Sequence, residues 1–217
     1  MKKFKVGLIR VITSDDKDFI NTHGHYIEER FPNLEVESRC IPDQWEGVHN
    51  PELKRIAASK VVELAKQFQG VGMILVSCAD DPGLEEIRQI LPEMPVAGGG
   101  EATATIASRY SGKVGVIGIV DDLPQNYKNI LSDRAILVKP NGVDSTLDLM
   151  TERGRRNCIL AAKSLKDSGV KVIALACTGF NTIDLANVLE KETRLPVIDP
   201  VLAQGVFAAF EAAKALK

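Results

Sequence analysis

The chain reads as an α/β protein built from two pseudo-symmetric halves. Each half is a parallel sheet with helices on both faces, and a ligand cleft lies between them. Three observations predict this. Short apolar runs alternate with longer amphipathic stretches along all 217 residues, the signature of repeated β-α units. Several of those runs, such as Gly72–Ser77, are continuous rather than alternating, as strands covered on both faces require. The halves also resemble each other: Lys5-Val6-Gly7-Leu8-Ile9 matches Lys113-Val114-Gly115-Val116-Ile117, and Gly72–Cys78 matches Val172–Cys177 in kind.

Taken in order, the expected strands of the first half are Lys5–Thr13, Leu34–Cys40, Gly72–Ser77 and Pro95–Gly98. Asp81-Pro82 reads as the N-cap and first position of the helix after the third strand. An Ala-rich helix, Glu101–Tyr110, follows the fourth. The second half repeats the plan with strands Lys113–Ile119, Arg134–Val138, Val170–Ala176 and Pro196–Ile198. Apolar residues at helical spacing predict a helix over Thr146–Ser168, stopped by Gly169, and a last helix covers Pro200–Leu216. The chain crosses between halves near Gly98–Glu101 and again near Asp199-Pro200. Residues 1–98 with 199–217 therefore form one lobe, and 99–198 the other. No Pro/Gly/Ser-rich linker separates them, so close packing is expected.

Composition narrows the function. The chain is 45% hydrophobic and 26% charged, ordinary for a soluble globular protein. A net charge of -2 provides no electrostatic footprint for nucleic acid or an anionic membrane. No apolar run approaches the ~20 residues that span a bilayer, and the first residues lack a signal-peptide pattern. The cytoplasm is the expected address, a small molecule the expected partner, and a homo-oligomer the expected state. Cys40, Cys78, Cys158 and Cys177 form no C-x-x-C pair, and His23, His25 and His49 are not near them in sequence. No metal is expected from that spacing. Gly98-Gly99-Gly100 does not complete a dinucleotide fingerprint, so no cofactor is expected.

Cys78 and Cys177 follow corresponding strands, at the carboxyl ends where α/β sheets bind ligands. A thiol there meets backbone N–H groups and the positive end of the next helix. A free thiol titrates near ~8.5, so a modest downward shift makes it a base at neutral pH. Two such thiols at equivalent points suit one task with its own two-fold character, the inversion of a carbon stereocentre. One thiolate removes a proton from one face, and one thiol returns a proton to the other. Ser77, Thr178, Gly179 and the Gly98–Gly100 run are candidate donors for the carbanion. Against this stands burial as ordinary packing residues, since free cysteine is often buried. Cys40, at the end of an edge-like strand, and Cys158, inside a helix, are read that way.

Ser77-Cys78-Ala79-Asp80-Asp81-Pro82-Gly83-Leu84 resembles the first-cysteine motif of hydantoin racemases, Cys-x-x-Asp-Pro-Gly-Leu. Leu175-Ala176-Cys177-Thr178-Gly179-Phe180 is similar to their second motif, Gly-Cys-Ala-Gly-Met, and to the Cys-Thr-His of glutamate and aspartate racemases. The resemblance runs along nearly the whole chain. It implies the aspartate/glutamate/hydantoin racemase superfamily and cofactor-free proton transfer by two thiols. Two departures stand out. Arg10-Val11-Ile12-Thr13-Ser14-Asp15 occupies the place of an Asn-Pro-Asn segment. Gly179 replaces the histidine that follows Cys-Thr in glutamate racemases, which favours a hydantoin-like substrate over a free amino acid. Maleate isomerases and arylmalonate decarboxylases share the scaffold, and the latter use a single thiol. A binding module with a cysteine-lined cleft remains the non-enzymatic alternative; it predicts two slow thiols with pKa values near or above the free one.

Thr13, Ser14, Ala79, Asp80, Glu101, Val120, Thr178 and Gly179 are the expected substrate contacts. Asp80 reads equally as a solvated loop carboxylate. Glu101 reads more simply as a helix-start carboxylate favoured by the dipole, and Asp121 as a cap. Arg153, Arg155 and Arg156 mark an exposed helix face. His23, His25 and Trp45 lie where a lid over the site would form.

Overall fold

The computed structural model describes residues 3–216. Its strands form two parallel four-stranded sheets. The first contains β1 (Phe4–Arg10), β2 (Leu34–Cys40), β3 (Met73–Ser77) and β4 (Val96–Gly98), in the order β2-β1-β3-β4. The second contains β5 (Val114–Gly118), β6 (Ala135–Val138), β7 (Val172–Ala176) and β8 (Val197–Ile198), in the matching order β6-β5-β7-β8. The α/β class and internal repeat expected from the sequence are both present. Met73–Ser77 and Val172–Ala176 are buried at every position, which is why these strands read as unbroken apolar runs.

The helices of the first half are α1 (Lys17–Arg30), α2 (Pro51–Ala65), α3 (Leu84–Ile90) and α4 (Gly99–Ser108). Those of the second are α5 (Gln125–Leu131), α6 (Glu152–Asp167), α7 (Gly179–Thr182), α8 (Leu185–Thr193) and α9 (Pro200–Ala215). On one face of the first sheet, Ile9, Ile74 and Val76 pack against Val61 and Leu64 of α2 and Ile87 of α3. On the other, Val6, Leu8 and Leu75 meet Ile27 of α1 and Val201 and Ala208 of α9. In the second sheet, Ile173 and Leu175 pack on Leu165 of α6 and Leu189 of α8, while Val114, Val116 and Ala174 face Ala104 and Ala107 of α4. Each fully buried Leu or Ile contributes about 2 kcal/mol. Helix α4 follows a strand of the first sheet yet packs on the second, and α9 does the reverse. This exchange joins the two cores.

Local chemistry sets the element ends. Asp16 caps α1 by accepting from Asp18 N and Phe19 N, and Asn50 caps α2 ahead of Pro51. The first strand stops at Arg10, not Thr13. The Thr13 hydroxyl donates to Ile41 O at 2.6 Å and accepts from Gln44 N at 2.7 Å, turning the chain off the sheet. The helix expected from Thr146 starts only at Glu152. Ahead of it, the Asp148 carboxylate gathers the N–H groups of Asp144 and Ser145, and Thr151 provides the cap. Asp81 does not cap the helix after β3 either: it adopts φ 50°, and α3 begins two residues beyond Pro82. Among the described residues no helix is long and apolar enough to cross a membrane.

Candidate active site

The carboxyl ends of β1, β3, β5 and β7 open into one cleft between the sheets, enclosing about 620 Å³ including its open mouth. Cys78 and Cys177 lie one residue beyond β3 and β7 and both line it. Their loops meet between the two sheets, where the Thr178 hydroxyl donates to Ser77 O at 3.2 Å.

Two clamps hold these loops. The Asp81 carboxylate accepts from Gly100 N at 2.9 Å, Glu101 N at 2.7 Å and Asn126 Nδ2 at 2.6 Å. It thus caps α4 from a distance, because Gly98 has no side chain to do so. The glycines make room for it: a Cβ on Gly98 would stand 2.0 Å from Asp81 Oδ1, and one on Gly100 2.1 Å from Ala79 O. In the second loop, Asn181 Nδ2 donates at 3.1 Å to Asp199, which caps α9 through Val201 N and Leu202 N. Burial raises both carboxyl pKa values against these donors, that of Asp81 to about 6.

The two thiols differ electrostatically. Burial, then the nearby Asp80 carboxylate, pushes Cys78 far above the ordinary thiol value. Burial also raises Cys177, but the Gly179 and Phe180 N–H groups, the Thr146 hydroxyl and Arg10 oppose the rise. Thr146 Oγ1 stands 3.8 Å from Cys177 Sγ. The downward shift expected from helix-end placement is therefore overturned, because desolvation outweighs the N–H donors.

Arg10 ends β1 and faces the cleft although only 3% exposed. His23 is fully buried: Nδ1 lies 2.9 Å from Ser77 Oγ and Nε2 3.3 Å from Thr182 Oγ1, so the ring bridges the two thiol loops. Burial and the Arg10 charge hold its pKa well below 6.5 and the ring neutral. It is a strut, not part of a lid; His25 and Trp45 are exposed, and neither lines the cleft.

Of the expected contacts, Ala79, Asp80, Val120, Thr178 and Gly179 line the cleft. Asp80 is paired with Lys54 at 2.8 Å. Thr13, Ser14 and Glu101 lie outside its walls. The Thr13 hydroxyl is consumed by the turn described above, the Ser14 hydroxyl accepts from Asp16 N, and Glu101 faces α3, where it pairs with Arg88 at 2.7 Å. Sequence reasoning missed Arg10, Phe19, Thr146, Met150 and Thr182, which also line the cleft. For Arg10 a signal existed: a cation closing an otherwise apolar strand. Cys40 ends the edge strand β2 and Cys158 is fully buried in α6; neither lines the cleft. No group of three or more His, Cys, Asp or Glu side chains is placed to hold a metal among the described residues.

The sequence model of the Asp/Glu/Hydantoin racemase family matches residues 22–207. A hydantoin racemase of Pseudomonas sp. (strain NS671) is 27% identical over 157 residues, covering 64% of this chain and 58% of that protein. One of Rhizobium meliloti is 31% identical over 161 residues, covering 69% of this chain and 62% of that protein. The chain thus spans under two thirds of the length of either relative. In fold it is similar to the allantoin racemase of Klebsiella pneumoniae, with TM-score 0.80 and 23% identity over 98% of this chain and 89% of that one.

Proposed function

The chain belongs to the Asp/Glu/hydantoin racemase family, and from that premise we propose that it is a cofactor-independent racemase or epimerase whose acid/base pair is Cys78 and Cys177. The observation that carries this reading is their placement at equivalent strand ends of two like sheets, on one cleft. A chiral carbon held between them has its Cα–H bond broken by one thiolate. The bonding electrons pass into the adjacent carbonyl as an enolate, and the opposite thiol delivers its proton to the other face. The charge has then moved from one sulfur to the other, and the reverse reaction starts from there.

The unequal surroundings decide which sulfur is charged first. Cys177 has two N–H groups, a hydroxyl and a guanidinium favouring its thiolate, whereas Cys78 has one N–H group, that of Asp80, and faces the Asp80 and Asp81 carboxylates. Cys177 is the resting base and Cys78 the resting acid. The substrate is a small chiral carbonyl compound of hydantoin type. The Cys78–Leu84 motif and the similarity to curated hydantoin racemases support this. So does Gly179, where a Cβ would stand 2.6 Å from Thr146 Cγ2. A histidine helper does not fit there without displacing Thr146, whose hydroxyl serves Cys177 instead.

Both thiols lie above the ordinary value, and that observation favours a second reading, a binding module. Deuterium exchange at the α-carbon in D2O separates the two. The panel is 5-substituted hydantoins, allantoin, aspartate and glutamate, with polarimetry alongside. The racemase exchanges and racemises at least one of them, and Cys78→Ser or Cys177→Ser each lowers the rate by about 100-fold or more. Exchange rates unchanged in both variants, or no exchange with slow thiols, sinks the racemase.

A further inference from the structure

We propose that Arg10 is the receptor for a carboxylate carried by the substrate, an assignment that rests on the racemase reading for the identity of the site. Strand β1 delivers Arg10 to the cleft floor, in register between Cys40 on β2 and Ser77 on β3. Nη1 donates to Phe19 O at 2.6 Å and Ile20 O at 3.4 Å, and the guanidinium lies 4.6 Å from the Phe19 ring centroid. Those contacts fix its plane. Among the described residues, Nε and Nη2 make no hydrogen bond, and no carboxylate lies within ion-pair distance.

The carboxylates around the two thiol loops are committed elsewhere. Asp80 is paired with Lys54, Asp81 holds the N-terminus of α4, and Asp199 that of α9. The ionisable neighbours that Arg10 does feel are the Cys40 and Cys177 thiols, and burial holds both toward the neutral form. Desolvation lowers the guanidinium pKa only to about 10, so the cation persists at neutral pH. A buried cation without a counter-charge is costly. Here it stands on the wall of the site with one edge of its fork unused. A carboxylate matches that edge with two parallel hydrogen bonds.

The occupant is therefore an anionic carbonyl compound. A hydantoin with a carboxylate on its 5-substituent and an open-chain amino acid both present this group. Calorimetric titration of the full chain compares 5-(carboxymethyl)hydantoin, its neutral isostere 5-(carbamoylmethyl)hydantoin, and aspartate. The acid binds at least tenfold more tightly than the amide, about 1.4 kcal/mol. Arg10→Gln brings the ratio close to one, and Arg10→Lys retains part of it. Aspartate binding more tightly than the acid supports the same receptor and assigns the carboxylate to an open-chain substrate.

Equal binding of acid and amide by the wild-type chain overturns the proposal and needs no variant to fold. So does the absence of binding by any of the carboxylates at millimolar concentration. Were Arg10 only a counter-ion for the Cys177 thiolate, Arg10→Gln would shift the pH profile of alkylation and leave the acid-to-amide ratio intact, which also overturns it. A selective ratio without α-proton exchange sinks the racemase reading and leaves the receptor standing. Exchange of acid and amide with equal KM does the opposite.

Discussion

Replacing Asp81 by Asn tests how the first thiol loop is held. The wild-type carboxyl is buried among three donors, and burial still lifts its pKa from 3.8 to about 6. In the unfolded chain the group titrates at the ordinary value. Between roughly pH 4 and pH 6 the folded protein therefore keeps a proton that the unfolded chain has lost, and stability falls as pH rises through that window. A displacement of about 2 pH units, at about 1.4 kcal/mol each, places the full effect near 3 kcal/mol, complete above pH 6. Asn does not titrate. Its Oδ1 reproduces only one of the two acceptors, so Asp81→Asn starts about 1–3 kcal/mol less stable in acid. The informative quantity is the stability gap between the two proteins, from urea unfolding at pH 4 and pH 7. The wild-type protein should lose about 2–3 kcal/mol relative to the variant across that range. A constant gap, or one that grows with pH, means that the three donors outweigh burial and refutes the reasoning.

Other perturbations test neighbouring parts of the site. His23 is held neutral in the fold, so below about pH 6.5 only the unfolded chain takes up its proton. Stability then falls with decreasing pH by up to about 1.4 kcal/mol per unit. His23→Gln should flatten that slope in urea titrations between pH 5 and pH 7, and an unchanged slope contradicts the assignment. Gly98→Ala should cost more than about 2 kcal/mol, because its Cβ collides with the fixed Asp81 carboxylate. Gly70→Ala, at φ +67° with nothing within 4 Å, should cost about 1 kcal/mol; a reversed order of urea midpoints would count against both accounts. Thr146→Val should move the pH profile of Cys177 alkylation upward and slow racemisation several-fold, with Thr146→Ser close to wild type. Superimposable profiles would remove the hydroxyl from the account.

Much of the fold was legible because β3 and β7 are buried on both faces, which leaves unbroken apolar runs. The match of Lys5–Ile9 to Lys113–Ile117 exposed the repeat. Cys78 and Cys177 were legible because the repeat places them at equivalent ends. The illegible parts depend on contacts distant in sequence. Asp81 looks like a local cap, but its partners are Gly100, Glu101 and Asn126. Thr146 continues a helical apolar pattern, yet Asp148 captures the N–H groups that a helix would have used. Thr13 and Ser14 follow the right strand, but Ile41, Gln44 and Asp16 use their hydroxyls first. The thiol pKa values were misjudged for a related reason. Helix-end donors are visible in sequence, whereas the depth of burial that outweighs them is not.

A site that inverts a stereocentre needs two-fold geometry, but its resting state needs asymmetry, since only one sulfur starts charged. The clamps provide both. Asp81 ties the Cys78 loop to α4, which packs on the second sheet, while Asn181 ties the Cys177 loop to Asp199 at the start of α9, which packs on the first. Each thiol loop is thereby tied to a helix that packs on the opposite sheet. Their chemistry is unequal. The Asp81 charge, once formed above about pH 6, acts on Cys78 and opposes its ionisation. The clamp side chain of the second loop is the neutral Asn181, four residues past Cys177 where Asp81 is three past Cys78, with Arg10 near Cys177 instead. Asp81→Asn should therefore narrow the reactivity gap between the thiols. With iodoacetamide near pH 8, Cys177 is modified ahead of Cys78 in the wild-type protein, and the variant brings the two rates closer. An unchanged ratio would leave the asymmetry to burial, to Asp80 and to the donors around Cys177, and the Asp81 carboxylate would then be a structural clamp without influence on which sulfur acts first.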